Sequence, residues 1–324
     1  MNPKALPGIR EIEAASKNIQ GVACRTPLVE SPGLSKLTGR QVYLKLECFQ
    51  PIKVFKIRGA YNKISSISDG KVVAASSGNH GIAVSYSSHL LGKKCTVVVP
   101  ETAVEEKVEA IESFGAEIVR AGRLSEEREA KARAIARASG AAFVHPFDDS
   151  DVIAGQGTCG LELSEQLAEF DSVLVPVGGG GLISGVSIAL KSRNPSVKVY
   201  GVEPLGAAKL SSALAARRIV RVENPRSIAD GLMPSALGEL AYTACSRLVD
   251  GAYSVSEEEI FRATAALTNI GRVIAEPSGA APLAPLMSTS LKVPGEKVVI
   301  IVSGGNISHD LLMKVLSESR RMVP

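Results

Sequence analysis

The chain contains no tryptophan and few other aromatic residues, with seven phenylalanines and six tyrosines among 324 residues. Proteins that bind single-stranded nucleic acid stack the bases on aromatic side chains, so this scarcity argues against that class. The formal net charge is only +4, and the densest charged run, residues 126–137, mixes both signs. We therefore expect neither the basic surface of a nucleic-acid-binding protein nor a nucleic-acid partner.

Cysteine is also scarce, since the five cysteines are widely spaced and form no C-x-x-C pair. This pattern predicts neither a disulfide framework nor a zinc site, and it fits a reducing cytoplasm. No apolar run reaches the roughly 18 residues that a membrane-spanning helix needs. The first residues lack the apolar core of a signal peptide. The sequence thus predicts a cytoplasmic protein without a membrane partner.

What the chain does have is a regular alternation of short apolar runs with longer helical stretches. The runs predict strands at residues 72–75, 95–100, 116–120, 142–144, 172–177, 198–202 and 297–302. Intervening helices imply parallel strands with right-handed crossovers, and uninterrupted apolar strands suit sheets covered on both faces. We therefore predict an α/β protein with two parallel-sheet domains and an active site in the cleft between them.

The predicted boundaries assign residues 69–148 to a small domain and residues 1–68 with 149–324 to a large domain. Ligands of parallel sheets bind at the carboxyl ends of the strands. Three loops lie at such ends, at residues 76–81, 178–182 and 303–306.

The loop at 178–182 reads Gly-Gly-Gly-Gly-Leu and lies between a predicted strand and a predicted helix. Backbone N–H groups of consecutive glycines can approach an anion, and the helix N-terminus adds the positive end of its dipole. This favours a phosphate site over the alternative of a flexible turn. The spacing matches neither the nucleoside-triphosphate nor the dinucleotide glycine motif.

Three further segments carry candidate chemistry, and each has a simpler alternative. Lys56 has apolar neighbours, and burial would favour the neutral amine that forms Schiff bases, although most such lysines reach solvent. The segment 76–81, Ser-Ser-Gly-Asn-His-Gly, offers donors for a carboxylate and a ring oxygen, or simply a helix cap. Ser303 after the last strand would by itself be a cap.

Taken together and in this order, these segments resemble fold-type II pyridoxal-phosphate enzymes, and more narrowly the serine/threonine dehydratase and serine racemase group. The resemblance includes Glu-Pro-Ser-Gly-Ala at 276–280 and Ser-Gly-Gly-Asn at 303–306, and it runs from about residue 27 to 308. The histidine at position 80 narrows the resemblance to this group, because sulfhydrylases of this fold usually carry Thr-Ser-Gly-Asn-Thr-Gly in the same segment. The resemblance implies a tryptophan synthase β-like fold, pyridoxal 5′-phosphate as cofactor, a small amino-acid substrate and a homodimer. It also implies that the large domain binds the cofactor and that the small domain gates access of the substrate.

The resemblance also implies a role for each residue of the cofactor site. Lys56 would carry the cofactor as a Schiff base and remove the α-proton of the substrate. Phe55 would lie beside the cofactor ring, Asn79 would donate to its 3′-oxygen, and Ser303 would face its pyridine nitrogen. Because serine is a poor acid, that nitrogen would stay unprotonated, which favours loss of a β-leaving group over transamination. The phosphate would be held by Gly178, Gly179, Gly180, Gly181 and Leu182.

The implied substrate site consists of Ser76, Ser77, Asn79, His80, Arg128 and Ser235. Ser77 is also a candidate catalytic residue, since a serine on the face opposite Lys56 would return a proton to Cα in a racemase. Arg128 would favour a second carboxylate, as in 3-hydroxyaspartate, whereas a surface arginine on a helix is the simpler alternative.

The expected activity is dehydration of L-threonine or L-serine to a 2-keto acid and ammonia. Serine racemisation with some dehydration, and dehydration of threo-3-hydroxyaspartate, are the alternatives. A fourth is a non-catalytic binding protein, supported by Lys53-Val54 in place of the family's usual Gly-Ser. The intact Lys56 argues against it.

A divalent-cation site of the racemase-like group uses a glutamate, a backbone carbonyl and an aspartate. Glu203 and Ala207 match the first two, but Lys209 stands where the aspartate would be. The lysine ammonium would take the place of the cation beside Glu203. We therefore predict no bound metal and weak or no dependence on magnesium or calcium.

Overall fold

A computed structural model describes residues 5–68, 70–76, 78–103, 105–122 and 125–318 of the chain. Within these ranges ten strands form two sheets. In chain order the strands are β1 (Leu28–Glu30), β2 (Gln41–Lys45), β3 (Lys71–Ala75), β4 (Lys94–Val99), β5 (Glu117–Arg120), β6 (Ala142–Phe143), β7 (Ser172–Pro176), β8 (Lys198–Pro204), β9 (Gly251–Val255) and β10 (Lys297–Ile301).

Helices connect and cover the strands. They are α1 (Ile9–Asn18), α2 (Pro32–Thr38), α3 (Lys56–Ser65), α4 (Asn79–Leu90), α5 (Glu105–Glu112), α6 (Ser125–Ser139), α7 (Ser150–Gln166), α8 (Gly181–Arg193), α9 (Lys209–Ala216), α10 (Glu239–Leu248), α11 (Glu257–Asn269), α12 (Pro277–Ala280), α13 (Ala284–Met287) and α14 (His309–Ser317). Within the described ranges, no helix has both the length and the apolarity to cross a membrane.

The larger sheet has the strand order β1-β2-β10-β7-β8-β9, and the smaller sheet has the order β5-β4-β3-β6. All neighbouring strands are parallel except β1, which pairs antiparallel with β2. This confirms the predicted α/β fold with two parallel sheets. The smaller sheet comes from residues 71–143, while the exact domain boundaries stay a prediction.

The central strands of the larger sheet are buried on both faces. In β7, Leu174 belongs to one apolar cluster together with Leu267 of α11, whereas Val173 belongs to another together with Val186 of α8. Successive side chains of a strand point to opposite faces. Helices on both sides therefore account for the uninterrupted apolar runs in the sequence.

A buried ionic cluster fixes the position of α3. Arg58 is fully buried and donates to Glu47 Oε2 and to Glu162 Oε1, each at 2.7 Å. Lys45, also buried, donates to Glu162 Oε2 at 2.6 Å. Burial alone would raise the pKa of Glu47, but the charge and hydrogen bond of Arg58 outweigh it and lower that pKa to about 2. The cluster ties β2 and α7 to the helix that begins at Lys56.

Candidate active site

Lys56 is the first residue of α3, and its amine lies between two other segments. Its Nζ donates to the carbonyl oxygen of Pro146 at 2.8 Å and lies 5.2 Å from the centre of the Phe55 ring. Burial lowers the pKa of Lys56 to about 8. A larger fraction of the side chain is therefore the neutral amine, the form that attacks a carbonyl carbon.

The loop after β10 runs alongside the residues that precede Lys56. Phe55 N donates to Ser303 O at 3.0 Å, and Gly305 N donates to Lys53 O at 2.8 Å. Val54 forms an antiparallel bridge with Gly304. Ser303 itself is buried. The structure thus places the candidate residue Ser303 close to the start of α3.

Asn79 begins α4, and its side-chain amide is bonded on two sides. Nδ2 donates to Glu276 Oε1 at 2.7 Å, and Oδ1 accepts from Asn306 Nδ2 at 2.7 Å. Glu276 is buried, and burial together with the negative charge of Asp230 raises its pKa to about 8. Segments 76–81, 276–280 and 303–306, far apart in the sequence, therefore meet here.

The tetraglycine loop joins β7 to α8, and its close neighbours exclude side chains. A Cβ added to Gly179 would lie 2.2 Å from Cδ1 of Phe147, and one added to Gly178 would lie 2.7 Å from Gly231 O. Gly180 has a φ of 94°, which favours glycine. Among the described residues, none accepts a hydrogen bond from the backbone N–H groups of 178–182. Such free donors at a helix N-terminus suit a phosphate.

Phe147 connects this loop to Lys56. Its ring packs on Gly179, and the preceding residue, Pro146, accepts the hydrogen bond from Lys56. The turn is held by His145, whose Nδ1 accepts from Phe147 N at 3.3 Å and from Asp148 N at 2.8 Å. The lysine and the glycine loop therefore belong to one site.

In segment 76–81, the described side chains Ser76 and His80 bond to the backbone, and their place in the substrate site stays a prediction. His80 is buried, its Nε2 lies 3.0 Å from Val144 O, and burial together with the charge of Lys56 lowers its pKa to about 3. The ring is therefore neutral and bonded to the backbone. Ser76 Oγ accepts from Gly78 N at 3.2 Å. Ser77, the candidate second catalytic residue, lies outside the described residues.

Ser235 is connected to α6, the helix that carries Arg128, by a residue that sequence reasoning missed. Arg221 donates to Ser235 Oγ at 2.9 Å and forms an ion pair with Glu126 of α6, the helix that also carries Arg128. Arg128 is half-buried, and burial lowers its pKa. An exposed arginine in an irregular segment, as Arg221 is, carries no signal in the sequence.

Lys209 is fully buried beside Glu203, outside the sites described above. Its Nζ donates to Ala207 O at 2.7 Å and to Leu232 O at 2.9 Å, and it lies 3.8 Å from Glu203 Oε2. The ammonium thus meets the carbonyl and carboxylate oxygens of the two residues that match the cation site. Independence from cations stays a prediction.

Comparison with known proteins agrees with this geometry. Residues 19–304 match the family model described as pyridoxal-phosphate dependent enzyme. The chain is 41% identical over 314 residues to an L-threonine ammonia-lyase of Thermotoga maritima, which covers 96% of this chain and 78% of that one. It is 38% identical to an L-threo-3-hydroxyaspartate ammonia-lyase of Saccharomyces cerevisiae, over 93% of this chain and 94% of that one. The structure of maize serine racemase superposes with a TM-score of 0.92 at 36% identity, and covers 98% of this chain and 99% of that one.

Proposed function

Because the chain belongs to the family of pyridoxal-phosphate dependent enzymes, we propose that it is an ammonia-lyase that dehydrates L-threonine or L-serine. Membership confirms the predicted fold-type II group, the cofactor and an enzymatic function among ammonia-lyases and racemases. One observation carries the proposal for the site. Lys56, Asn79, Ser303 and the tetraglycine loop are separated in the sequence and are connected through contacts of their neighbours. Phe55 bonds to Ser303, Asn306 bonds to Asn79, and residues 146–147 contact both Lys56 and Gly179.

These residues fit pyridoxal 5′-phosphate. The free N–H groups of residues 178–182 would hold its phosphate, and one N–H of Asn79 Nδ2 remains for its 3′-oxygen. The Lys56 amine would hold the cofactor covalently, with Phe55 beside the ring and Ser303 near its nitrogen. When bound, the cofactor withdraws electrons from the substrate Cα and so acidifies the α-proton.

Each residue then has a separate task in the reaction. Lys56, once the substrate amine has displaced it, takes the proton from Cα, and its lowered pKa suits a general base near neutral pH. The buried hydroxyl of Ser303, placed near the ring nitrogen, would not protonate it as a carboxylic acid would. Loss of the β-hydroxyl would then be favoured over return of the proton to Cα, and the proton that Lys56 takes from Cα would balance the water that leaves. The released enamine hydrolyses to a 2-keto acid and ammonia.

Two other activities are the alternatives. Racemisation of serine is supported by the likeness to serine racemases, and Ser77, which lies outside the described residues, is the candidate proton donor on the face opposite Lys56. Dehydration of threo-3-hydroxyaspartate is supported by the likeness to the ammonia-lyase of Saccharomyces cerevisiae, and half-buried Arg128 is the candidate for binding the second carboxylate. For all three activities we propose a homodimer, as the resemblance implies.

The test is release of 2-keto acid by the purified, cofactor-loaded protein from L-threonine, L-serine and L-threo-3-hydroxyaspartate. We expect release from threonine or serine, and loss of release in Lys56→Ala. Lys53→Ala is the matched control, because Lys53 is an exposed lysine three positions earlier.

The other outcomes identify the alternatives. Release from hydroxyaspartate alone, lost in Arg128→Ala, would assign that substrate. Formation of D-serine without any keto acid would overturn the lyase assignment in favour of racemisation. A visible cofactor band that shifts with substrates but yields no product would indicate a binding protein.

A further inference from the structure

Two side chains next to Asn79 have no task in the reaction proposed above. Glu276 is buried and Asn306 is half-buried, and both contact the Asn79 amide directly. The backbone of Asn306 also lowers the pKa of the Glu276 carboxyl group. The Asn79 amide thus joins the two side chains, since it accepts from Asn306 and donates to Glu276.

A backbone carbonyl determines how the two amides are oriented. Asn306 Nδ2 lies 3.3 Å from Ile52 O, which can only accept, so this end of the Asn306 amide must be the NH₂ group. The same NH₂ group lies 2.7 Å from Asn79, which must therefore present its oxygen. Asn79 Nδ2 then faces Glu276 Oε1. One N–H of Asn79 is used by Glu276, and the second has no acceptor among the residues that the structure describes.

We propose that Asn306 and Glu276 are positioning residues that hold the Asn79 amide in one orientation, with its free N–H directed at the 3′-oxygen of the cofactor. The inference rests on the proposed placement of pyridoxal phosphate at Lys56. A flipped amide would instead direct a carbonyl oxygen at the 3′-oxygen, and two acceptors would then face each other without a proton. Glu276 opposes the flip as well, because its Oε1 accepts from the NH₂ group of Asn79.

The protonation state of Glu276 also affects the charge close to the 3′-oxygen. Burial and the nearby Asp230 raise its pKa to about 8, while Lys107 and the hydrogen bonds from Asn79 and Asn306 act in the opposite direction. Near neutral pH the side chain is mostly the neutral acid. It therefore accepts from Asn79 without placing a full negative charge close to the electron-rich 3′-oxygen.

Asn306→Asp in the loaded enzyme tests the proposal. Aspartate has the same shape but offers no donor to Ile52 O or Asn79 Oδ1, so the amide loses the bond that selects its orientation. We expect the visible absorption band of the bound cofactor to shift and the dissociation constant for pyridoxal phosphate to rise about fivefold or more. Asn269→Asp is the matched control, because Asn269 donates to Val315 O at the end of α11. Its band and dissociation constant should equal those of the wild type.

The same change made in an Asn79→Ala variant distinguishes a positioning role of Asn306 from a structural one. If Asn306 acts through Asn79, Asn306→Asp introduced into Asn79→Ala should change neither the band nor the dissociation constant further. Asn306→Ala, which also removes the donor, replaces Asn306→Asp if the aspartate variant does not fold. An unchanged band in the single variant, or an equal effect in both backgrounds, would overturn the proposal. A Lys56→Ala protein that keeps the covalent band would instead contradict the placement of the cofactor.

Discussion

Lys53 adopts a backbone conformation that favours glycine. Its φ is 58°, and its carbonyl oxygen accepts from Gly305 beside the site. For a residue with a Cβ atom this conformation costs roughly 1–2 kcal/mol. We expect Lys53→Gly to raise the free energy of unfolding by about 0.5–1 kcal/mol, since the greater chain entropy of glycine offsets part of the gain. Lys53→Ala keeps the Cβ and should give no gain. Urea unfolding measures both, and equal stability of the two variants would contradict the expectation.

Glu276 predicts a dependence of stability on pH. Its pKa is raised from about 4.5 to about 8 in the folded protein. The folded state therefore binds this proton more tightly than the unfolded state, and the stabilisation is lost as pH rises from about 4.5 to about 8. Glu276→Gln has no such loss. Its stability relative to wild type should increase by at least about 1 kcal/mol between pH 5 and pH 8. Urea unfolding at both values measures the change, and a constant difference would show that Glu276 is charged throughout.

Among single residues, the sequence identifies those whose segments resemble a known family. Lys56 and Asn79 were identified in this way, since the immediate neighbours of each also fit a simpler role, and their tasks in the reaction stay predictions. The orientation of Asn79 could not be predicted, since it depends on Ile52 and Asn306, which lie far away in the chain. The same holds for Arg221, whose partners come from α6 and from the segment around Ser235.

The loop between β7 and α8 can be tested as an element through its contact with Phe147. A Cβ at Gly179 would overlap the ring, so Gly179→Ala must displace the loop or Phe147. Because the loop supplies donors for an anionic group, we expect the dissociation constant for pyridoxal phosphate to rise about tenfold or more. Combining Gly179→Ala with Phe147→Ala removes the ring that the added Cβ would overlap, and should recover part of the affinity for pyridoxal phosphate. Gly70→Ala, where an added Cβ meets nothing within 4 Å, should bind as wild type. Wild-type affinity in Gly179→Ala would contradict the expectation.

The strands differ in how well the sequence predicts them, for a physical reason. The seven predicted strands occur with ends that differ by one or two residues, and those of the larger sheet are buried on both faces. β1 and β9 form the edges of the larger sheet and are half-exposed, and β2 alternates exposed with buried positions near one edge. None of these three has the uninterrupted apolar run that marks a strand covered by helices.

At the scale of the whole molecule, ion pairs join the segment of the smaller sheet to that of the larger sheet. Among the described residues, Lys107 of α5 pairs with Asp230, and Glu126 of α6 pairs with Arg221. Both pairs are partly exposed, and such pairs contribute at most about 1 kcal/mol each. We expect pairs of this strength to favour a closed cleft and still to let it open.

Reversing one of these charges should therefore favour the open cleft. We expect Lys107→Glu to raise KM about two- to fivefold at low salt, and less at high salt, because like charges then face each other. The exchange of charges in Lys107→Glu with Asp230→Lys should restore the wild-type KM. Steady-state kinetics at two salt concentrations measure these KM values. An unchanged KM in Lys107→Glu would show that this ion pair does not influence opening of the cleft.

We expect the buried ammonium of Lys209 to make the activity independent of magnesium and calcium in solution. A metal ion must be captured from solution and can be removed again, whereas this charge is bonded to the chain and touches Ala207 O and Leu232 O. Chelation should therefore leave activity unchanged, and a several-fold recovery on adding magnesium after chelation would contradict this. Every copy that folds already carries its own counter-charge to Glu203. We therefore expect the amount of active enzyme to depend on the amounts of chain and cofactor, and not on the concentration of magnesium or calcium.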